Sequence, residues 1–344
     1  MVGLSILGTG GYVCPATGNQ ALLEYLGAPK SAAWFEDKTG VRGHSLNFDF
    51  SVGQKRSQEN ALDYAESAAR SAMERAGVGP QQIDHLYLAT CTPAYLHFMA
   101  DAIELHRRLG LRSTAVINQV DGACAALAKA MQDVQAYAQR RPEWAALIVA
   151  VNDASSFFVA NRARYAAVPG AWLSPALFAD GAGALLLGPS ERPHLADVYC
   201  AVDGQHPLVM YLGGGAAVPT APETLDAQVY LIDGRDVAAQ FVPGVQRAWG
   251  HFVQNWELRV EDVRRWYLHQ ANLRFVEGFG QALGIPPERL PHNVDRIGNT
   301  SSASTLLLLD EDVRTGRLPT DGPIVFLWVG AGMMEGGALF LPPS

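Results

Sequence analysis

Two stretches of this chain recur at nearly equal offsets, and that recurrence limits what the chain can fold into. Asp84-His85-Leu86-Tyr87-Leu88 resembles Arg264-Arg265-Trp266-Tyr267-Leu268, 180 positions later (264 − 84). Leu147 to Val151 resembles Ile324 to Trp328, 177 positions later (324 − 147). An internal duplication predicts two halves, residues 1–185 and 186–344, whose equivalent elements meet about a pseudo-twofold axis. Convergent strand composition is the alternative explanation of the same likeness.

Strand-length apolar runs alternate with 3.6-residue periodicity along the chain, the pattern of an α/β protein. A first strand is expected over 1–7, ended by a turn at Gly8-Thr9-Gly10-Gly11. Residues 58–76 read as a helix with Ala61, Tyr64, Ala65, Ala68, Ala72 and Met73 on one face. Strands are expected over 83–90 and 146–151. A helix is expected to open at Cys124, with Leu127, Met131, Val134 and Tyr137 at helical spacing. Asp153 to Ala171 reads as a long surface excursion. Asp180-Gly181-Ala182-Gly183-Ala184 reads as a tight entry to the strand Leu185 to Leu187. Gly213-Gly214-Gly215 and Pro219 mark a loop.

The formal net charge is −8, and Lys and Arg form no run. Nucleic acid is therefore not an expected partner, because phosphate binding needs a basic face. No segment approaches the roughly 20 apolar residues of a membrane helix, and the first basic residue is Lys30. No membrane span or signal peptide is expected, and the cytoplasm is the expected compartment. The cysteines at 14, 91, 124 and 200 show no CxxC spacing, and the histidines form no HxH or HExxH pattern. No metal site and no resident cofactor are expected. Gly8-Thr9-Gly10-Gly11 lacks the G-x-G-x-x-G spacing of a dinucleotide fingerprint.

Three islands carry reactive side chains: Asp121-Gly122-Ala123-Cys124-Ala125-Ala126, His269-Gln270-Ala271-Asn272 and Gly298-Asn299-Thr300-Ser301-Ser302-Ala303-Ser304. Cys124 at the start of a helix is expected to be shifted towards thiolate by the unpaired N–H groups there. Its small neighbours permit close approach of an acyl group. A neutral His269 can accept a proton or donate to a carbonyl, and Asn299 can donate as well. Each has an ordinary structural explanation when taken alone: a buried cysteine, a satisfied core histidine, an asparagine that caps a helix. Together, a thiol, an imidazole and a carboxamide can form, hold and condense an acyl thioester.

The three islands, in this order and spacing, resemble the β-ketoacyl-ACP synthase III branch of the thiolase-like condensing enzymes, over nearly the full chain. The resemblance implies a duplicated five-layer α-β-α-β-α fold. It also implies acyl transfer from an acyl-CoA or acyl-carrier thioester to Cys124. Decarboxylative Claisen condensation with a malonyl-type or β-ketoacyl thioester follows, with His269 and Asn299 donating to the enolate oxygen. Backbone N–H groups of Cys124 and Ala331 are implied as the oxyanion donors for the acyl carbonyl. Ala331 stands where the family has the middle glycine of a triplet, so that donor needs a backbone conformation open to a Cβ. Met333-Met334-Glu335 also departs from the family pattern, which bears on the shape of the acyl pocket.

By the same resemblance Trp34 stacks on a CoA adenine with Lys38 and Thr39 beside it. Lys38 replaces the commoner Arg. Asn272 belongs to the substrate set, Arg274 meets CoA or an acidic carrier protein, and Phe98 lines an acyl tunnel near the interface of a homodimer. Each of these can equally be an ordinary surface or core residue. Acyl-CoA and acyl carrier protein are the expected partners, with CoA or phosphopantetheine thioesters entering as substrates. The altered terminal loop, the excursion and Lys38 favour specialised-metabolite (polyketide, even pyrone) over fatty-acid synthesis. Two other readings stand beside this one: acyl transfer to an alcohol or amine without decarboxylation, and a silent partner subunit.

Overall fold

The structure is a computed structural model that describes residues 3–95, 98–190, 194–205, 209–211, 229–232 and 234–342. The glycine-rich loop expected at 213–219 lies outside the described residues. The main elements are β1 (Gly3–Val13), α1 (Ala61–Ala76), β2 (His85–Ala89), α2 (Ala100–Leu109), β3 (Val116–Val120), α3 (Ala126–Ala138), β4 (Ala146–Asn152), β5 (Gly181–Ser190), β6 (His194–Val202), α4 (Gly234–Trp256), β7 (Arg265–Leu268), α5 (Leu273–Leu283), α6 (Ala303–Arg314), β8 (Ile324–Gly330) and β9 (Met334–Leu341). None of the described helices is long and apolar enough to cross a membrane.

Nine strands run in the order β7-β8-β9-β6-β1-β5-β4-β2-β3. The pairing repeats itself. In the first half β2 lies parallel to β4, and β4 and β1 both lie antiparallel to β5. In the second half β7 lies parallel to β8, and β8 and β6 both lie antiparallel to β9. The register pairs His85 with Ala146 and Arg265 with Ile324, offsets of 180 (265 − 85) and 178 (324 − 146). One pair, Ser5 with His194, joins the two halves of the sheet. Residue 185 lies inside β5, and the second half's first strand begins at His194.

Three apolar cores separate five layers. Between the half-sheets, Leu127 and Met131 of α3 and Leu306 and Leu309 of α6 pack against Ile148 on one side and Phe326 and Trp328 on the other. Outside the first half, α1 and α2 cover the sheet with Ala68, Ala72 and Leu105. Outside the second, α4 and α5 do so with Phe252, Val276 and Phe279. The layer order is α-β-α-β-α, and it places α3 and α6, the helices that follow Cys124 and Asn299, in the middle of the molecule.

Helix α1 follows its sequence signal. Asn60 and Asp63 close a capping box over its first turn, the reciprocal arrangement that satisfies orphan N–H groups. All six residues of the expected apolar face are buried. The expected turn at Gly8-Thr9-Gly10-Gly11 is corrected: β1 runs through it, with a register shift between Ile6 and Gly8. The glycines serve helix–sheet approach. A Cβ on Gly10 would lie 2.0 Å from the Ala68 carbonyl oxygen, and one on Gly8 would lie 2.3 Å from that of Ala72.

The excursion at 153–171 is also corrected. A π-helical turn, Ser155–Val159, and a short helix, Arg162–Ala167, fold it inwards. Ala154, Phe158, Val159, Tyr165 and Ala171 are buried there. The Asp180 carboxylate holds that segment down. It accepts from Ser155 N at 2.8 Å, Ser155 Oγ at 2.6 Å and Asn47 N at 2.6 Å. Gly181 to Ala184 belong to β5 itself, which begins four residues earlier than expected (185 − 181).

The glycine contact makes a sharp prediction. Gly10→Ala pushes a methyl into helix backbone that cannot yield as a side chain can. It is expected to destabilise the fold by roughly 1–3 kcal/mol or more. The neighbouring Gly18→Ala, with open space at its Cβ, is expected to stay within about 1 kcal/mol. Urea denaturation of both variants checks this; equal midpoints would remove the close-approach argument.

Candidate active site

The three reactive residues come from the expected islands. Cys124 lies in the 3₁₀ turn Ala123–Ala125 that leads from β3 into α3. His269 follows β7, and its N–H donates to the Leu327 carbonyl at 3.0 Å. Asn299 follows Gly298, whose φ is 76°, and precedes α6. Its backbone is pinned on both sides: Asn299 N donates to Leu177 O at 3.2 Å, and Ala179 N donates to Asn299 O at 2.8 Å. Asn152 Nδ2 in turn holds the Ala179 carbonyl at 2.7 Å.

The turn before each central helix is strained in the same way. Ala123 has φ 45° and Ser301 has φ 55°, both left-handed without being glycine. They lie 178 positions apart (301 − 123), the offset between the first residues of the equivalent strands β4 and β8. The Ser302 hydroxyl donates to the Ala123 carbonyl across the junction. Ser301 Oγ lies 3.5 Å from Cys124 Sγ and 3.5 Å from Cys91 Sγ. Ser301 N donates to Asn299 Oδ1 at 2.8 Å, which leaves Nδ2 as the amide's free end.

Cys124, His269 and Asn299 line one cavity of about 470 Å³, together with Ala331, Asn272 and the aromatic rings of Phe158, Phe178 and Phe241. Val202, also in the lining, is 62% exposed, so the cavity reaches solvent. Phe241 meets the His269 ring edge-on at 6.2 Å. Both ring nitrogens of His269 are buried and have no partner among the described residues. Burial pushes its pKa down to about 3, so the ring is neutral at physiological pH. It offers one N–H donor and one acceptor to whatever fills the cavity.

The expectation of a thiolate at rest is corrected. Burial pushes the Cys124 thiol up to about 11, against the opposing hydrogen bonds of the Ser301 hydroxyl and of its own N–H. The thiol is therefore protonated at rest.

The backbone at Ala331, the residue in place of the family's middle glycine, is open to a Cβ. Ala331 lines the cavity and stands outside the left-handed residues; the left-handed φ of 119° falls on Gly332 instead. Gly330 carries the close approach. A Cβ there would lie 3.1 Å from Cys124 N and 2.9 Å from Ala125 N, so glycine keeps that N–H face open. Of the three departing residues, Met334 lines the cavity, beside Gly122. Met333 packs on Gly244 of α4. Glu335 pairs with Arg247 at 2.6 Å and accepts from Tyr199 Oη at 3.0 Å. One of the three, then, touches the substrate space.

The outer residues are distributed differently. Asn272 caps α5, accepting from Phe275 N at 3.0 Å, and lines the cavity. Arg274, two residues on, donates to the Asp37 carbonyl at 3.1 Å and pairs with Glu277 at 3.0 Å. That bond joins α5 to the short helix Ala32–Thr39, which carries an exposed Trp34 and Lys38; Lys38 pairs with Asp37 at 2.9 Å. Thr39 is buried, and its hydroxyl is used by Phe35 O at 2.7 Å and Val41 N at 3.1 Å. Phe98 is 90% exposed with φ 56° and lies outside the cavity. Among the described residues, no three His, Cys, Asp or Glu side chains gather as a metal site would require.

Ser301, Cys91 and Asp121 are among the lining residues that carried no assigned role in the sequence. Ser301 and Asp121 sit inside the quoted islands. Cys91 has no local signal, because its place beside Ser301 depends on a contact 210 positions apart.

Residues 253–341 match the family described as 3-oxoacyl-[acyl-carrier-protein (ACP)] synthase III C terminal. The fold is similar to 3-oxoacyl-(acyl carrier protein) synthase III, FabH, from Pseudomonas aeruginosa PAO1, at 26% identity, with 99% of each chain covered and a TM-score of 0.82. It is similar to the priming β-ketosynthase of the R1128 polyketide biosynthetic pathway, at 27% identity, with 99% of this chain and 97% of that one covered and a TM-score of 0.80. OleA from Xanthomonas campestris, solved with lauric acid and lauroyl-CoA, shares the fold at 21% identity, with 98% and 99% covered and a TM-score of 0.82.

The raised thiol pKa is directly measurable. Iodoacetamide labelling of Cys124, followed by peptide mapping, is expected to accelerate about tenfold per pH unit from pH 7 to pH 9, because only the scarce thiolate reacts. A rate that levels off below pH 8 would show a cysteine already ionised at rest.

Proposed function

We propose, for a chain that belongs to the β-ketoacyl-ACP synthase III-like condensing enzymes of the thiolase-like superfamily, a two-stage reaction on Cys124. The observation that carries it is the convergence of one thiol, one unpartnered neutral imidazole and one oriented carboxamide on a single apolar cavity.

In the first stage the Cys124 sulfur attacks the thioester carbonyl of an acyl-CoA or acyl-carrier substrate. His269 is a weak base and the thiol a weak acid, so proton removal accompanies attack instead of preceding it. The Cys124 and Ala331 N–H groups receive the oxyanion. The C–S bond to the carrier breaks, and the carrier thiol leaves with the proton. In the second stage a malonyl-type thioester loses carbon dioxide, and its carbonyl oxygen takes the charge. His269 N–H and Asn299 Nδ2 donate to that oxygen. The enolate carbon attacks the acyl-Cys124 carbonyl, and the bond to sulfur breaks, giving a β-ketothioester and free Cys124. A β-ketoacyl thioester as nucleophile loses its C2 proton to the acceptor nitrogen of His269 in place of carbon dioxide. Its enolate attacks the acyl-Cys124 carbonyl in the same way, and that proton returns to the departing Cys124 sulfur.

The surroundings support a substrate route from outside. The surface with Trp34, Lys38 and Arg274 leads to Asn272 at the cavity wall, and we assign it to CoA or to an acyl carrier protein. Phe98, with the exposed Tyr95, Met99 and Ile103 near it, suits the interface of a homodimer. A role in a specialised polyketide pathway rests on Ala331, Met334 and Lys38; the excursion no longer speaks for it, because it builds core. The cytoplasm is the proposed compartment.

Two measurements divide the chemistry. Cys124→Ala is expected to abolish acyl uptake from acyl-CoA, read by intact-protein mass spectrometry. Asn299→Ala is expected to keep uptake while lowering release of labelled carbon dioxide from malonyl thioester by about 10²–10³-fold, the usual cost of one oxyanion donor. Equal loss of both steps refutes this division of labour. An ester or amide product with the label retained would indicate simple acyl transfer, and a wild-type protein that takes up no acyl group would indicate a silent subunit.

A further inference from the structure

The duplication pairs Asp121 with Asn299, 178 positions apart (299 − 121), just as it pairs Ala123 with Ser301. The backbone is similar in both. The Ser301 N–H donates to Asn299 Oδ1 at 2.8 Å, and the Ala123 N–H lies close enough to the Asp121 carboxylate to favour its charged form. In each case the acceptor lies two residues before a left-handed residue. Both side chains line the cavity that holds Cys124. One is a neutral amide. The other is a carboxylate.

Asp121 is also the one side chain among the described lining residues that carries a charge at neutral pH: no Lys or Arg lines the cavity, and His269 is neutral. It lies three residues before the nucleophile, on the side of Cys91, whose thiol feels its charge. More than a third of its surface is exposed. The Ala123 N–H occupies only part of its accepting capacity, since a carboxylate has about four lone-pair directions. The Asp121 side chain lines the same cavity as the Cys124 thiol. Loss of bulk water pushes its carboxyl above the ordinary value, while the Ala123 N–H opposes that rise.

Resting on the reading of Cys124 as the acyl acceptor, we infer that Asp121 is a specificity residue that sorts incoming acyl groups by charge. An acyl group bearing an ammonium or hydroxyl donor gains a charge-assisted hydrogen bond. One bearing a second carboxylate meets a like charge that no described lining cation offsets. The nucleophile is thereby protected from being loaded with the malonyl-type partner, whose carboxylate the second stage must keep for decarboxylation.

The test uses three acyl-CoAs that differ in one substituent on the third carbon: methyl in butyryl, ammonium in β-alanyl and carboxylate in succinyl. Initial rates of Cys124 acylation are followed by intact mass and peptide mapping. Wild type is expected to load β-alanyl at least tenfold faster than succinyl, a modest effect for one unit charge at effective permittivity of about 20. Asp121→Asn keeps an oxygen for the Ala123 N–H, as Asn299 does for Ser301. It is expected to bring that ratio to within about threefold of unity. Asp121→Glu is expected to restore the preference, which a merely structural role would not do. A wild-type ratio near one, or a ratio unmoved in Asp121→Asn, overturns the inference and leaves the proposed chemistry standing, provided butyryl loads on Cys124. If none of the three loads, the proposed chemistry falls and the inference falls with it.

Discussion

The geometry of the site depends on one junction, where the Ser302 hydroxyl meets the Ala123 carbonyl across the two halves of the chain. On either side stands a non-glycine residue in the left-handed region, at φ 45° and 55°. Such a residue costs about 1–3 kcal/mol and persists only where its surroundings over-determine it. Here the surroundings are α3 and α6, buried between the half-sheets with apolar residues of both. Neither helix can turn to relieve its first residues without disturbing the central core. The left-handed turns therefore hold the Cys124 thiol beside Ser301 and the Asn299 amide against the Ser301 N–H. Ser301 couples the two: one residue spaces the nucleophile with its hydroxyl and orients the carboxamide with its backbone.

Dryness governs the electrostatics of the same place. A thiol held near 11 and an imidazole held near 3 form a neutral pair. An ion pair between them would need the charged forms of both, and burial opposes each. Beside the neutral Cys124 and His269, with Asp121 the one charged side chain among the described lining residues, new charge appears in the proposed reaction when a thioester brings a carbonyl oxygen to the waiting donors. Preorganised donors in a dry site are worth more than the same donors in water, because they do not reorient as the charge grows. The unpartnered nitrogens of His269 fit that logic. A buried polar atom left without a partner costs free energy, and it can be retained where a ligand completes it.

How far the sequence predicted this molecule depends on how local each signal is. Cys124, His269 and Asn299 were legible because reactive side chains sat in short islands among small residues. The duplication was legible because β2 and β7, and β4 and β8, bury similar apolar side chains at similar positions. Gly8 to Gly11 misled, because glycines that make a turn and glycines that admit a helix look identical locally. Only the alanine-lined face of α1, some 60 positions away, tells them apart. Asp153 to Ala171 misled for a related reason. Its polar and charged residues suggested solvent, whereas Asp180 anchors Ser155 from a distance of 25 positions and turns Phe158 inwards. Thr39 was placed near substrate, yet its hydroxyl is occupied within its own helix end. Met333, Met334 and Glu335 looked equally disruptive in sequence; Met333 ends the 3₁₀ turn Ala331–Met333, and the alternation of faces along β9 separates Met334, which lines the cavity, from Glu335.

The duplication also explains how a nearly symmetric scaffold supports asymmetric chemistry. Equivalent positions hold Cys124 and Ser302, and Asp121 and Asn299. Backbone geometry is shared, so both turns could present a nucleophile and an acceptor two residues before a left-handed residue. The side chains break the symmetry. A serine hydroxyl at 302 is a far weaker nucleophile than a thiol, and here it is already engaged with the Ala123 carbonyl. An amide at 299 can donate to a developing enolate, whereas a carboxylate there would repel it. The reverse holds at 121, where no enolate forms and a negative charge can act on the incoming acyl group instead. In the proposed reaction one turn supplies covalent attachment and the other stabilises the enolate oxygen. On that reading the two roles require opposite substitutions on the same fold.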